Sequence, residues 1–378
     1  MLENGSISPE AILDAMNVGV YVCDRNRKIA HWSKRAEAIT GWRAEDVVGH
    51  ACHENILNHV DKDGRPLCGE ESCPLHRSMV TGVEADVPII VFARGKDGRR
   101  IPMQVNVAPL CNGDGEIIGG VETFRDLTAE MPDLRRARQI QQGLLSSALP
   151  QDPHVLFTTF YRARDIVGGD FYAINAETDD RYAFMLADVE GHGLAAALNT
   201  VHLNHVWHNH SGLRCRPGAF TAAASCDLVS VFGPDNSFAT AVCGTFNFRT
   251  GSLKLAFAGG PPALVLKTGT APRWIHAPGI PLGISTDSVY SETTIALEPG
   301  DRVVLCTDGA FEIHNASREE LGMDGFLDIL KALEYPRHDL RLERLEEELL
   351  KYSNAIRLQD DLTVMLIEYG ARIVCEAE

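Results

Sequence analysis

No stretch of the sequence reaches the roughly 18 consecutive apolar residues that a bilayer-crossing helix needs. The first residues also lack a basic region followed by an apolar one. Both absences predict a soluble, cytoplasmic chain with no membrane partner. Positive charge is in short supply: 35 Lys and Arg against 52 Asp and Glu leave a formal charge of −17, with no Lys/Arg-rich face or tail. A nucleic-acid backbone would be repelled, so that partner class is argued against. For the same reason, chemistry on any phosphate group would need bound cations to neutralise it. There is no CxxC pair, and ten cysteines are spread over 378 residues, which predicts reduced thiols rather than a disulfide framework. No cysteine lies in a phosphate-cradling loop and no Ser/His/Asp order is apparent, so covalent catalysis has little support. No ATP-binding kinase segment is visible either.

What the chain does have is length and apolar content enough for two cores: 378 residues, 45% hydrophobic. Segment character divides it into a domain at 7–128, a connector at 129–150 and a second domain at 151–370. In the first, Ser8 and Pro9 precede AILDAM as a capped helix start. GVYVCDRNRKIAHWS alternates as two short strands, KRAEAITGWRAEDVVGH has helical spacing broken at Gly41 and Gly49, and three more strands follow, turned at KDG and GDG. That order is α+β, an antiparallel sheet covered on one side.

Within this domain, ACHENILNHVDKDGRPLCGEESCPLHRS holds Cys52, His53, His59, Cys68, Cys73 and His76. Soft donors at this density suit a zinc or iron site, or a redox sensor, if the loop folds back on itself. Their spacing is irregular, and buried thiols beside a turn-forming Cys-Pro step are the plainer account. In the connector, Leu134, Ala137, Gln141, Leu144 and Ala148 follow a 3-4-3-4 spacing. Such a stripe fits a two-heptad coiled coil, hence a homodimer, or equally a helix packed on its own domain.

The second domain shows apolar or alternating runs at 156–161, 182–189, 238–248, 252–258, 263–267, 302–307 and 362–369. Hairpin-length links favour an antiparallel sandwich. Helical stripes in GLAAALNTVHLNHVW and at Leu342, Leu345, Leu349, Tyr352 and Ile356 would cover its faces. Four acidic motifs stand at strand margins: VGGDFYA with Asp170, ADVEGHG with Asp188, LCTDGAFE with Asp308, and LQDDLTVMLIE with Asp360 and Asp361. Each alone reads as a turn. Together they are how a sandwich would bring carboxylates from distant sequence into one cleft, where anionic oxygen suits Mg²⁺ or Mn²⁺. Asp188 is read as the ligand bridging two ions.

GVYVCD, AITGW, VVGH, GKDGRRIPM and FRDLT resemble a PAS sensor domain, with Ser33 where many members have Asn. The resemblance leaves the ligand open. QIQQGLL resembles the linker, and GGDFY, ADVEGHG, AGGPPAL, IPLG, LCTDGAFE and DDLTVMLI, in order, resemble the signature of PPM-type (PP2C-like) serine/threonine phosphatases of the SpoIIE/RsbU branch. The resemblance implies a PAS fold, a helical linker and a PP2C-like β-sandwich flanked by helices. It implies two Mg²⁺ or Mn²⁺ ions that activate water for in-line attack without a phospho-enzyme. Asp188 and the Val189 carbonyl would hold one ion with Asp170, Asp308 and Asp360 the other, and Asp361 would bond backbone. His192 is a candidate general acid, with backbone bonding as its plainer role. The implied substrate is a phosphorylated anti-anti-sigma (STAS) protein. Two positions depart from the family pattern: Ala173 replaces a frequent acid and Gly260 the His of AGHPP. A catalytically silent binding module and a small-phosphoester hydrolase are the alternative functions.

Overall fold

The computed structural model describes residues 8–69, 73–83, 89–145, 149–191, 193–233, 237–267, 269–315, 317–333, 343–355 and 357–370. Two compact units divide between Asp133 and Leu134. His192, Ala148, Leu342 and Ile356, named above, lie outside the described residues.

The first unit runs α1 (Pro9–Ala15), β1 (Gly19–Asp24), β2 (Ile29–Trp32), α2 (Lys34–Thr40), α3 (Ala44–Val47), α4 (Pro74–Thr81), β3 (Ile89–Arg94), β4 (Arg100–Cys111) and β5 (Ile117–Asp126). Its sheet has the order β2-β1-β5-β4-β3, antiparallel throughout. Sequence chemistry sets the helix starts: Ser8 Oγ accepts the Ala11 amide at 3.2 Å at the head of α1. The buried Ser33 Oγ accepts from both Ala36, capping α2, and Val20. Tyr21, Val91, Met103, Val105 and Phe124 share the sheet face beneath α4, whose Leu75 and Met79 are buried.

The second unit opens with the later turns of α5 (Met131–Leu145), which crosses the division. It continues β6 (Val155–Arg162), β7 (Asp170–Thr178), β8 (Arg181–Val189), α6 (Leu194–Asn209), α7 (Pro217–Phe232), β9 (Ala239–Asn247), β10 (Ser252–Ala258), β11 (Ala263–Leu266), β12 (Arg273–Ile275), β13 (Thr293–Ala296), β14 (Arg302–Cys306), α8 (Gly322–Ala332), α9 (Glu343–Ser353) and β15 (Leu362–Tyr369). Two five-stranded antiparallel sheets result, β13-β10-β9-β8-β7 and β12-β11-β14-β15-β6. Phe157, Phe184, Leu186, Phe257, Leu305 and Ile367 fill the space between them. Trp207, Phe220 and Leu228 of α6 and α7 cover the outer face of one sheet, and Phe326, Leu345 and Leu349 of α8 and α9 that of the other. Full burial of each such side chain contributes about 1.5–3 kcal/mol. Because β8 is covered on both faces, it reads as an unbroken apolar run rather than an alternating one. In β8, Tyr182, Phe184 and Leu186 point between the sheets, while Ala183, Met185 and Ala187 point to the helices. Among the described residues, no helix is long and apolar enough to cross a membrane, and the nine described cysteines are free thiols.

Candidate active site

Strand parity builds the site. Ile174 of β7, Tyr182, Phe184 and Leu186 of β8, Leu305 of β14 and Met365 of β15 face the inter-sheet core, so counting by twos places Asp170, Asp188, Thr307 and Thr363 on that inner side at the strand ends. Asp170 and Asp188 are register partners on β7 and β8. Asp170 is fully buried, and its Oδ2 accepts from Thr307 Oγ1 at 3.0 Å and from Thr363 Oγ1. These hydroxyls tie a carboxylate of one sheet to two strands of the other. Asp170 Oδ1 is buried without a hydrogen-bond partner.

Asp308 and Asp360 join the same centre. A Cβ on Gly309 would lie 3.5 Å from Asp360 Cβ and would overlap the Asp361 carbonyl, so this approach requires glycine. Val189 is fully buried and its amide donates to the Gly169 carbonyl at 3.2 Å. Its own carbonyl lies 2.7 Å from where a Gly169 Cβ would stand. Asp361, adjacent in sequence to the exposed Asp360, turns the other way and is buried. Its Oδ1 accepts the Arg164 amide at 2.7 Å and its Oδ2 the Gly169 amide at 2.5 Å, which pins the glycine loop ahead of Asp170.

The electrostatics of this centre are those of uncompensated negative charge. Burial, then the Asp361 charge, pushes Asp170 far above the usual carboxylate range. Burial, then Asp170, Asp308, Asp360 and Asp361, does the same to Asp188. Burial, Asp360 and Glu312 raise Asp308 to about 6. The charges bearing most on Asp188 are thus all carboxylates. An orphaned buried oxygen and an all-oxygen acidic donor set fit hard divalent cations. Among the described residues, no group of three donors already stands at coordination spacing, as expected of like charges without a counter-ion.

Two participants were not singled out from the motifs. Glu312 bears on Asp308 from the end of LCTDGAFE. Gln141 of α5 is 3% exposed; its amide donates to the Gly168 carbonyl at 2.6 Å and accepts the Gly168 amide at 3.2 Å. It also meets Thr200 Oγ1 at 3.4 Å and Tyr161 Oη at 3.3 Å. Gln141 of the connector stripe is buried within the second unit, and Leu145, next to the stripe, joins that unit's core. At Gly260, a Cβ would stand 2.6 Å from the Ala241 carbonyl, so the backbone path here leaves no room for the family's histidine.

The sequence matches the family described as Stage II sporulation protein E (SpoIIE) over residues 178–370, just over half the chain, and the PAS fold over residues 13–131. The chain belongs to the SpoIIE family and carries an N-terminal PAS fold. It is 26% identical over 183 residues to the phosphoserine phosphatase RsbP of Bacillus subtilis, covering 48% of this chain and 45% of that protein. With the phosphoserine phosphatase RsbU of the same organism it shares 25% identity over 251 residues, 65% of this chain and 73% of that one. The chain therefore spans less than half the length of RsbP. Among solved structures, the SiaA-PP2C domain of Pseudomonas aeruginosa aligns at a TM-score of 0.54 and 22% identity, covering 64% of this chain and 99% of the domain. That likeness agrees with the α+β architecture of a PP2C-like sandwich flanked by helices.

Proposed function

We propose that the chain is a metal-dependent protein phosphatase that removes phosphate from serine or threonine of a STAS-type regulator, under control of its PAS unit. The observation that carries this reading is the convergence of Asp170, Asp188, Asp308, Asp360 and Asp361 at one end of the sandwich, where the charges bearing most on Asp188 are the other four carboxylates. Asp170, Asp188 with the Val189 carbonyl, Asp308 and Asp360 would hold Mg²⁺ or Mn²⁺. Bound there, the cations supply Lewis-acid charge for the phosphate and lower the pKa of the attacking water. Thr307 and Thr363 orient Asp170, while Asp361 and Gln141 fix the Gly168–Gly169 loop beside it. Direct hydrolysis is favoured because the cysteine nearest the acids, Cys306, is buried, and burial and then the Asp308 and Asp170 charges push its thiol far above the range in which it could act as a thiolate nucleophile.

The phosphoserine phosphatase names of RsbP and RsbU support the reaction class. The test is phosphate release from a phosphorylated STAS protein by the full chain with Mn²⁺. Turnover that needs Mn²⁺ or Mg²⁺ and disappears in Asp188→Asn supports the reading; turnover unaffected by chelation or by that substitution refutes it.

A further inference from the structure

The PAS unit holds a second constellation of ligand-type side chains, which the phosphatase reading does not use. Around it the chain folds back on itself through backbone bonds. The Cys52 amide donates to the Arg27 carbonyl at 2.9 Å, the Leu67 amide to the His59 carbonyl at 2.8 Å, and the Cys73 amide to the Gly69 carbonyl at 3.2 Å. Arg27 Nη1 donates to the Cys68 carbonyl at 3.2 Å, so one residue ties Cys52 to Cys68 across the fold. Arg27 holds this position with a left-handed φ of 62°.

The side chains converge as well. The His59 amide donates to Cys68 Sγ at 3.1 Å; burial raises the Cys73 thiol, and the backbone amides of His76 and Leu75 at the start of α4 offset part of that rise. Hydrogen-bond donors aimed at sulfur are what a ligating thiolate uses to spread its charge. Cys73 is the ionisable group that bears most on Cys52. Cys52, Cys73 and His59 are each 6% exposed. His59 Nε2 is buried without a hydrogen-bond partner, and Glu122 Oε1 lies 3.7 Å away, beyond bonding distance. The other Glu122 oxygen accepts from Tyr21 Oη at 3.0 Å, which occupies that carboxyl in the sheet.

We propose that Cys52, His59, Cys68 and Cys73 form a buried site for a thiophilic divalent cation of the Zn²⁺ class. Three sulfurs and one imidazole make a four-donor set of the composition that structural zinc prefers, and it is too soft for Mg²⁺ or Mn²⁺. Of the three histidines in the segment, His59 is the one whose backbone amide bonds a ligand cysteine and whose imidazole nitrogen Nε2 is buried without a hydrogen-bond partner. Among the described residues the donors do not yet stand at coordination spacing. Each ligating thiol would release its proton to solvent as its sulfur bonds the metal.

The test loads the full chain with Co²⁺ as a spectroscopic probe and with Zn²⁺ for stoichiometry. Sulfur ligation gives an intense near-ultraviolet cobalt charge-transfer band; the all-oxygen acidic centre of the second unit gives none, so the two sites are read separately. The wild type should show the band and retain one more zinc per chain than Cys52→Ser/Cys73→Ser. Cys111→Ser, at an exposed position, should match the wild type. As the double substitution alters a core, Cys73→Ser alone, checked by circular dichroism, gives the second reading: a folded variant with a weakened, shifted band supports the site. Absence of the band in the wild type, or an unchanged band in folded Cys73→Ser, overturns it.

Discussion

In the PAS unit, Glu122 is a solitary buried acid among thiols; burial lifts its carboxyl to about 8, and a Tyr21 hydroxyl supplies its one hydrogen bond. A single proton neutralises that pocket near neutral pH. In the second unit, burial and then neighbouring carboxylates raise the proton affinity of Asp170, Asp188, Asp308 and Asp361, and neutralising them with protons alone would need several at once. The difference is between a site that is quiet without an ion and one that is electrostatically incomplete without cations. Hydroxyl donors to Asp170 and amide donors to Asp361 hold the second arrangement in place against its own repulsion.

That contrast can be broken most severely at Asp188. Asp188→Asn should lower metal-supported phosphate release by roughly a thousandfold or more, because it removes the bridging ligand. The same change should raise the melting temperature of the metal-free protein near pH 7, since it removes a carboxyl that folding forces to stay protonated well above its ordinary range; a fall in both would contradict the electrostatic account. Next in size, Thr363→Val removes a hydroxyl from Asp170 Oδ2 and should cost about 1–1.5 kcal/mol, or roughly tenfold in turnover, with metal requirement as the companion readout. Gln141→Leu strips Gly168 of its amide clamp. It should destabilise the second unit by about 1–3 kcal/mol and raise the Mn²⁺ concentration needed for half-maximal turnover several-fold.

The smallest effects are those of pH. Metal affinity at the acidic centre should climb as pH rises through about 6, where Asp308 gives up its proton, since ligand carboxylates must be ionised. Glu122 acts in the opposite sense on stability. Its folded value of about 8 lies above the ordinary 4.5, so its contribution is full below pH 4.5 and is lost as pH rises through 8. Melting curves of the full chain from pH 5 to 8 should show that decline in the wild type and a shallower one in Glu122→Gln.

Much of this was legible from residues alone. Strands such as 252–258 and 362–369 are visible as apolar runs because both faces of the sandwich sheets are covered. The acidic motifs stand out because a strand-end carboxylate flanked by glycine has few other uses in such number. Strand β7 was harder to see: Asp170–Thr178 begins inside a glycine motif and mixes buried with half-exposed positions. Helix α7 hid because PGAFTAAASCDLVSVF is apolar on most faces and lacks a clear stripe. Gln141 fell on a seam of small and apolar residues, and no spacing rule says that a glutamine there will grip a glycine 27 residues away. Nor does spacing reveal that His59, rather than His53 or His76, is bonded through its amide to Cys68, since that depends on where Arg27 gathers the loop.

The central claim is that the acids of the second unit are completed by hard divalent cations. Calorimetric titration of the full chain with Mn²⁺ near pH 7 tests it most directly, because this ion favours oxygen over sulfur donors. Saturable binding accompanied by proton release, lost in Asp188→Asn, is the predicted result. Equal binding by the wild type and Asp188→Asn, or none by either, would contradict it.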